Sequence, residues 1–263
     1  MEKFNFKKKF GQNFLRDNHI VNKIVLESQI PEDTLVVEVG PGKGILTKEL
    51  SKNVKNVLCY EIDEELQYEL IKLQEEYTNV KFKFCDFLNS DLNSDLKKYK
   101  YKHLYFISNV PYYITTPILM KIMDSKLPFE KIVMMVQKEV GERFSAKPGN
   151  KNYSSITVFL NYFYNIKKLF NVNRKEFIPV PNVDSEVISL ELKKEKSFVK
   201  NEEFFFKLVR DSFKFKRKTI KNNLKNYDIK KLEDVLNDNG FTLESRAETI
   251  PVEVFIQISN ALS

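Results

Sequence analysis

Three short runs of this 263-residue chain carry residue types that chemistry needs. The first is Val36-Val-Glu-Val-Gly-Pro-Gly-Lys-Gly44, an apolar β-rich run ending in three alternate glycines before a helical pattern. Glycines there let the backbone pass close to a ligand. The second is a pair of acids, Glu61 and Asp86, each closing the next apolar run, with Phe87 after the latter. A carboxylate at the place of Glu61 accepts hydrogen bonds from both ribose hydroxyls of a nucleoside cofactor. An acid at Asp86 can take an adenine amino group, and Phe87 can flank the ring. The third run is Asn109-Val-Pro-Tyr112. The lone pair of an exocyclic amine on a nucleobase, adenine N6 or cytosine N4, is delocalised into its ring, so such a nitrogen is a poor nucleophile. The Asn109 side-chain carbonyl and the backbone carbonyl of Val110 or Pro111 can accept its protons and favour a pyramidal nitrogen. That interaction strengthens in the transition state. Pro111 fixes the backbone so that carbonyls point inward, and Tyr112 offers a face for a stacked base.

Each run alone has a plainer reading: a glycine turn, a solvated strand end, a helix cap, a proline turn. Together, at successive strand ends, they point to one ligand site, because open α/β sheets bind ligands there. The glycine turn lacks Gly-x-Gly-x-x-Gly spacing, and no Gly-Lys-Ser/Thr follows, so a mononucleoside-like cofactor such as S-adenosylmethionine fits better than a dinucleotide. The chemistry needs no strong general base and no metal. His19 and His103 are isolated.

These residues need elements to position them. The 18–29 stretch predicts a helix with Ile20, Ile24 and Val25 on one face and Asn18 as its cap. Strands are predicted at Thr34–Val39, Val57–Glu61, Val80–Asp86, Leu104–Asn109 and Lys131–Gln137. Helices alternate with them at Ile45–Leu50, Glu64–Glu76 and from Pro111 through Met123, a pattern that implies an α/β fold with a parallel, doubly wound sheet. Ser154–Tyr164 and Val187–Leu192 read as added β-structure at one edge. Beyond residue 198, Glu202–Phe213, Lys230–Asn237 and Pro251–Leu262 read as helices. The expected division is a sheet domain at 1–196, opening on a basic segment at 1–17, and a small all-helical domain at 197–263.

Forty-three Lys plus Arg against 36 Asp plus Glu leave a net charge of +7, which suits an anionic partner such as nucleic acid. The basic residues cluster, with Lys7, Lys8 and Lys9 at one end and Lys214, Lys216, Arg217, Lys218 and Lys221 near the other. Phe213 and Phe215 interleave with the second cluster and can stack on bases or pack inward. Cys59 and Cys85 read as reduced core residues of a cytoplasmic protein, since two cysteines make no disulfide framework. No apolar run approaches the ~20 residues of a membrane span, and the N-terminus lacks a signal-peptide core.

Further runs carry a resemblance: Phe10-Gly-Gln-Asn-Phe-Leu15, Val136-Gln-Lys-Glu-Val140 with Arg143, Phe177-Ile-Pro-Val-Pro-Asn-Val-Asp-Ser185, and Phe213 to Leu224. In this order, over nearly the whole chain, the sequence resembles the ribosomal RNA adenine N6-dimethyltransferases of the small-subunit type. The resemblance implies a Rossmann-like class I S-adenosylmethionine-dependent methyltransferase sheet with a small all-helical C-terminal domain. It implies an enzyme that dimethylates two adjacent adenosines in the 3′-terminal hairpin loop of 16S RNA, late in small-subunit assembly. The partner would be small-subunit RNA in the immature 30S particle, met by a monomer without metal or membrane. Matching positions would make Asn13, Leu15, Gly40, Gly42, Glu61, Ile62, Asp86, Phe87 and Asn109 the cofactor contacts. Asn109, Pro111 and Tyr112 would carry catalysis, with Phe177 facing Tyr112 across a flipped adenine, and the two lysine clusters would meet phosphates. Val110 stands where the family usually has Leu, and Tyr113 where Asn is common.

Alternatives stay open. One is the related enzyme that methylates large-subunit RNA and confers antibiotic resistance. Another is a non-catalytic assembly or transcription factor on the same fold, and a third is a DNA adenine methyltransferase. Gly11 before Gln-Asn-Phe and the Phe177–Ser185 run favour the small-subunit type over the large.

Overall fold

Every position of Thr34–Val39 is buried, as a central parallel strand covered on both faces must be. In the computed structural model, which describes residues 13–263, the elements begin with β1 (Phe14–Leu15), α1 (Asn18–Ser28), β2 (Thr34–Val39), α2 (Ile45–Ser51), β3 (Asn56–Glu61) and α3 (Gln67–Glu76). There follow β4 (Val80–Phe84), α4 (Leu92–Leu96), β5 (His103–Asn109), α5 (Thr115–Asp124), β6 (Lys131–Gln137), α6 (Lys138–Phe144) and α7 (Ser155–Phe163). The chain ends with β7 (Tyr164–Val172), β8 (Phe177–Ile178), β9 (Ser185–Leu192), α8 (Glu202–Ser212), α9 (Ile220–Asn223), α10 (Ile229–Asp238) and α11 (Val252–Leu262).

The main sheet runs β4-β3-β2-β5-β6-β9-β7. From β4 to β6 the pairing is parallel, and β9 lies antiparallel to β6. The chain moves outward from β2 through β3 to β4, then restarts on the other side of β2 at β5. That reversal makes the β2/β5 boundary a topological switch point, where a crevice opens beyond the carboxyl ends of the strands. One face of the sheet, including Val36, Val57, Cys59 and Ile107, packs on Val21, Ile24, Leu46 and Leu50 of α1 and α2. Burying each such side chain contributes roughly 1.5–3 kcal/mol. A row of rings, Tyr60, Phe87, Phe106 and Phe129, packs through the rest of this unit at centroid spacings of 5.1, 6.3 and 6.5 Å.

The structure differs from the sequence expectations at four places. Asp17, not Asn18, caps α1, its carboxylate accepting the His19 N–H at 2.7 Å. The fourth strand stops at Phe84, so Asp86 lies in a turn rather than closing the strand. Of Ser154–Tyr164, expected as edge strand, Ser155–Phe163 is helix. Its β-branched and aromatic composition suits either, but Ile156 through Leu160 and Tyr162 are buried around the whole helix, and such tertiary packing overrides propensity. The Ser154 N–H also donates to Thr157 Oγ1 at 3.2 Å, a helix-starting contact. Last, the compact unit that holds the C-terminal helices also takes Glu142–Ile166, leaving the sheet unit with residues up to Gly141 and Lys167–Leu192. The expected division at 196/197 lies near the second crossing but does not anticipate the first. The helical unit centres on the fully buried Phe205, Leu208, Val209, Leu232, Leu236, Phe255 and Ile258.

Candidate active site

The glycine run after β2 turns because Gly40 and Gly42 adopt φ of +70° and +58°, a region that side chains rarely enter. The Gly40 N–H donates to the Tyr60 carbonyl at 2.8 Å, which extends the β2–β3 ladder into the turn. Gly42 has a second constraint, since a Cβ there would lie 2.6 Å from the Phe14 ring. Its N–H donates to Glu61 Oε2 at 3.2 Å, and the Asp63 N–H donates to Oε1 at 2.9 Å. Glu61 is 5% exposed. Burial pushes its carboxyl above the usual range, against the downward pull of the backbone donors. Each oxygen therefore has a fixed donor and a lone pair left for a ligand.

Asn109 ends β5. Its Nδ2 donates to the Asn13 carbonyl at 3.4 Å, which aims the amide and leaves Oδ1 as the acceptor. Below it, the Ser108 hydroxyl donates to the Val39 carbonyl at 2.6 Å and accepts the Val39 N–H at 3.3 Å, tying β5 to β2 beyond the last ladder pair. In the tetrad turn the Ile114 N–H donates to the Pro111 carbonyl at 3.2 Å, whereas the Val110 carbonyl is not used by that turn. The Tyr112 hydroxyl and Ser185 Oγ are hydrogen-bonded at 2.6 Å, which anchors the ring from β9. Asp86 caps the turn that follows it, Oδ1 accepting the Leu88 N–H at 2.9 Å and Oδ2 the Asn89 Nδ2–H at 2.8 Å.

These groups surround one pocket of about 250 Å³ at the switch point. Its wall includes all nine expected cofactor contacts, Asn13, Leu15, Gly40, Gly42, Glu61, Ile62, Asp86, Phe87 and Asn109, together with Pro111 and Tyr112. Phe177 is fully buried in the core cluster with Leu15 and Val21, which themselves line the pocket, and its own side chain is not part of the wall. Backbone pairing with Leu15 in the β1–β8 ribbon turns its ring inward. The rings that do line the pocket are Phe14, Tyr60, Phe87, Tyr112 and Tyr113.

Sequence reasoning missed Glu38 and Ser108. Glu38 is buried in β2, lines the pocket and takes the Thr47 hydroxyl on Oε2 at 2.7 Å and the Cys59 thiol at 3.5 Å. Burial pushes its carboxyl up to about 7. The acid inside an otherwise apolar strand was the available signal. Of the second basic cluster, Lys214, Lys216, Arg217 and Lys218 are exposed, as is Lys221. Their loop is pinned by Asn223, which accepts the Phe215 N–H at 3.0 Å and donates to the Phe215 carbonyl at 3.3 Å. Phe213 packs on Phe255 at 5.8 Å, while Phe215 is 55% exposed. Lys7, Lys8 and Lys9 lie outside the described residues. Among the described residues no cluster of His, Cys, Asp and Glu can hold a metal ion, and no helix is long and apolar enough to cross a membrane.

Comparison with known proteins gives this geometry its relatives. A family model of ribosomal RNA adenine dimethylases matches residues 3–263. Ribosomal RNA small subunit methyltransferase A of Bacillus mycoides (strain KBAB4) is 40% identical over 269 aligned residues, 98% of this chain and 92% of that protein. The protein of the same name in Bacillus anthracis (strain CDC 684 / NRRL 3495) is 40% identical over the same shares. The crystal structure of a dimethyladenosine transferase from Plasmodium falciparum superposes with a TM-score of 0.79 at 29% identity, covering 93% of this chain and 95% of that one. The 23S rRNA methyltransferase ErmE superposes with a TM-score of 0.75 at 25% identity, covering 95% and 99%.

Proposed function

Because this chain belongs to the ribosomal RNA adenine dimethylase family, we propose that it dimethylates N6 of two adjacent adenosines in the 3′-terminal hairpin loop of 16S small-subunit RNA, with S-adenosylmethionine as methyl donor. The substrate is the RNA of the immature small subunit, met in the cytoplasm by a monomer. The observation that carries the reading is Asn109, held at the pocket wall with its amide N–H spent on Asn13 and its oxygen left to accept.

The pocket fits the cofactor by charge and shape. Among the described residues its wall carries the acids Glu61 and Asp86, with the buried Glu38 whose carboxyl is pushed up to about 7, against the single cation Lys43, which suits a ligand with a sulfonium and an ammonium. Glu61 would hold the ribose hydroxyls. Asp86 and the flanking Ile62 and Phe87 would hold the adenine, while Asn13, Leu15, Gly40 and Gly42 close around the rest. When bound, S-adenosylmethionine supplies an electrophilic methyl on a good leaving group.

The chain's own part is to hold the target amine. Asn109 Oδ1 and the Val110 carbonyl accept its two N–H bonds, drawing the lone pair out of ring conjugation. Pro111, at φ −57° and ψ 129°, fixes the turn between those acceptors and Tyr112. Tyr112, anchored by Ser185, stacks on one face of the flipped base. After one transfer a single N–H remains, and one acceptor suffices for the second. Placement supplies most of the acceleration. On the helical unit, the exposed Lys214, Lys216, Arg217, Lys218 and Lys221 contact phosphates.

The test is methyl transfer from labelled S-adenosylmethionine to unmethylated small and large subunits, followed by nuclease digestion. Dimethyladenosine in small-subunit RNA is expected. Label confined to large-subunit RNA would reassign the chain to the resistance-type activity of the ErmE kind. No label with cofactor still bound would make it a non-catalytic factor.

A further inference from the structure

The turn that carries Asp86 and Phe87 is slight. After β4 ends at Phe84, the chain makes one turn at Phe87–Asn89, closed by the Asn89 and Ser90 N–H groups on the carbonyls of Asp86 and Phe87, both at 3.1 Å. Support comes from another element. Lys121 on α5 donates through its ammonium to the Leu88 carbonyl at 2.9 Å and the Ser90 carbonyl at 2.6 Å. The same ammonium lies 5.7 Å from the centroid of the Phe87 ring. On its other side, Phe87 meets the edge of Tyr60 at 5.1 Å and 75°. Tyr60 is itself fixed, because its hydroxyl donates to the buried Asp95 at 2.9 Å, and Asp95 pairs with Lys83.

Lys121 is half-buried, and no acid lies within ion-pair distance of it among the described residues. A partly desolvated ammonium is costly unless its donors are used. Here they are used on two backbone carbonyls of one turn, in the fork that a short loop leaves open. The element that supplies it is α5, the helix that follows the tetrad turn, so this one side chain ties that helix to the turn that carries Phe87 in the pocket wall.

We propose that Lys121 is a positioning residue for the cofactor's purine, fixing the Asp86–Ser90 turn from behind so that Asp86 and Phe87 stand ready for the ring. The proposal rests on the reading of this pocket as the S-adenosylmethionine site. Its effect belongs to cofactor affinity, not to the transfer step, because Lys121 does not line the pocket.

Lys121→Met keeps the stem and removes the donors, and Lys121→Arg keeps charge and donors. Calorimetric titration with S-adenosylmethionine and S-adenosylhomocysteine should show about tenfold weaker binding for the Met variant, as expected for loss of charge-assisted hydrogen bonds. Stoichiometry should be unchanged, and the Arg variant should recover most of the loss. In transfer assays the KM for the cofactor should rise in step, with kcat at saturation within about twofold. An unaltered affinity in the Met variant overturns the proposal. So does reduced stoichiometry at unaltered affinity, which marks misfolding, and so does an equal loss in both variants, which marks packing. If the unsubstituted protein binds neither ligand, the reading of the pocket itself fails, a result that the variants cannot mimic.

Discussion

Asn109 must accept and not donate, and its setting enforces that orientation. An Asn→Ala change at this position should reduce methyl transfer by at least about 10²-fold, the scale of removing one preorganised transition-state partner. Cofactor affinity should change much less, and a single-turnover assay with a parallel titration checks both; wild-type rates would sink the assignment. Glu61→Ala should weaken S-adenosylmethionine binding by about 1–3 kcal/mol, because it deletes the acceptor that Gly42 and Asp63 hold in place. Glu38 yields a pH-dependent prediction. Its carboxyl rises from 4.5 to about 7 through burial. A raised acid contributes stability that is intact below the unfolded value and is lost as pH climbs through the folded one. Glu38→Gln carries no charge to desolvate. Its stability relative to the parent should therefore improve by about 1–3 kcal/mol between pH 4 and pH 8 in the absence of cofactor. Thermal melting at both pH values checks this, and a constant offset would exclude it. Glu38 was legible only as an acid in an apolar run, since its burial depends on α2 covering the strand.

At the scale of elements, the site is made where strand ends meet. The glycine loop follows β2, Glu61 ends β3, and the tetrad starts at the last residue of β5, so parallel pairing alone brings distant residues together. The Ser108 clamp continues that pairing by side chain where the β2–β5 ladder stops. The close fit of Gly42 to Phe14 makes the loop intolerant. Gly42→Ala should cost about 1–2 kcal/mol of stability from left-handed backbone alone, and displacement of Phe14 should weaken cofactor binding as well. Chemical denaturation and calorimetry would register both, and an unchanged midpoint would contradict the packing described. Helix α7 shows why composition misleads. Its β-branched and aromatic residues are chosen for burial on all sides, and burial does not reveal period. Phe177 shows the same limit in the other direction. A strand of two residues has no readable alternation, so which of its neighbours turns inward is set by pairing with β1.

At the scale of the molecule, the residues proposed for chemistry and those proposed for phosphate contact fall in different compact units, which makes the two proposals separable by substitution. Replacing Lys216, Arg217 and Lys218 together with Glu should weaken binding of small-subunit RNA. The salt dependence should flatten by about 0.7–0.9 for each phosphate that the loop no longer neutralises. Cofactor affinity should be unchanged. A steep salt slope that survives the substitutions would remove this loop from the interface. The loop is suited to the task because Asn223 fixes its backbone while its basic side chains remain exposed.

The alternation of strands and helices, the glycine turn, the acids near strand ends and the Asn-Val-Pro-Tyr tetrad were all legible in the amino-acid order. Each is a local requirement, of φ, of period or of functional-group chemistry, and local requirements are written in adjacent residues. Long-range packing decided the rest: Phe177 is fully buried, Ser155–Phe163 is a helix, Glu142–Ile166 joins the helical unit, and Lys121 reaches the carbonyls of Leu88 and Ser90. Those outcomes depend on which surfaces bury one another across tens of residues, and no local spacing encodes that choice.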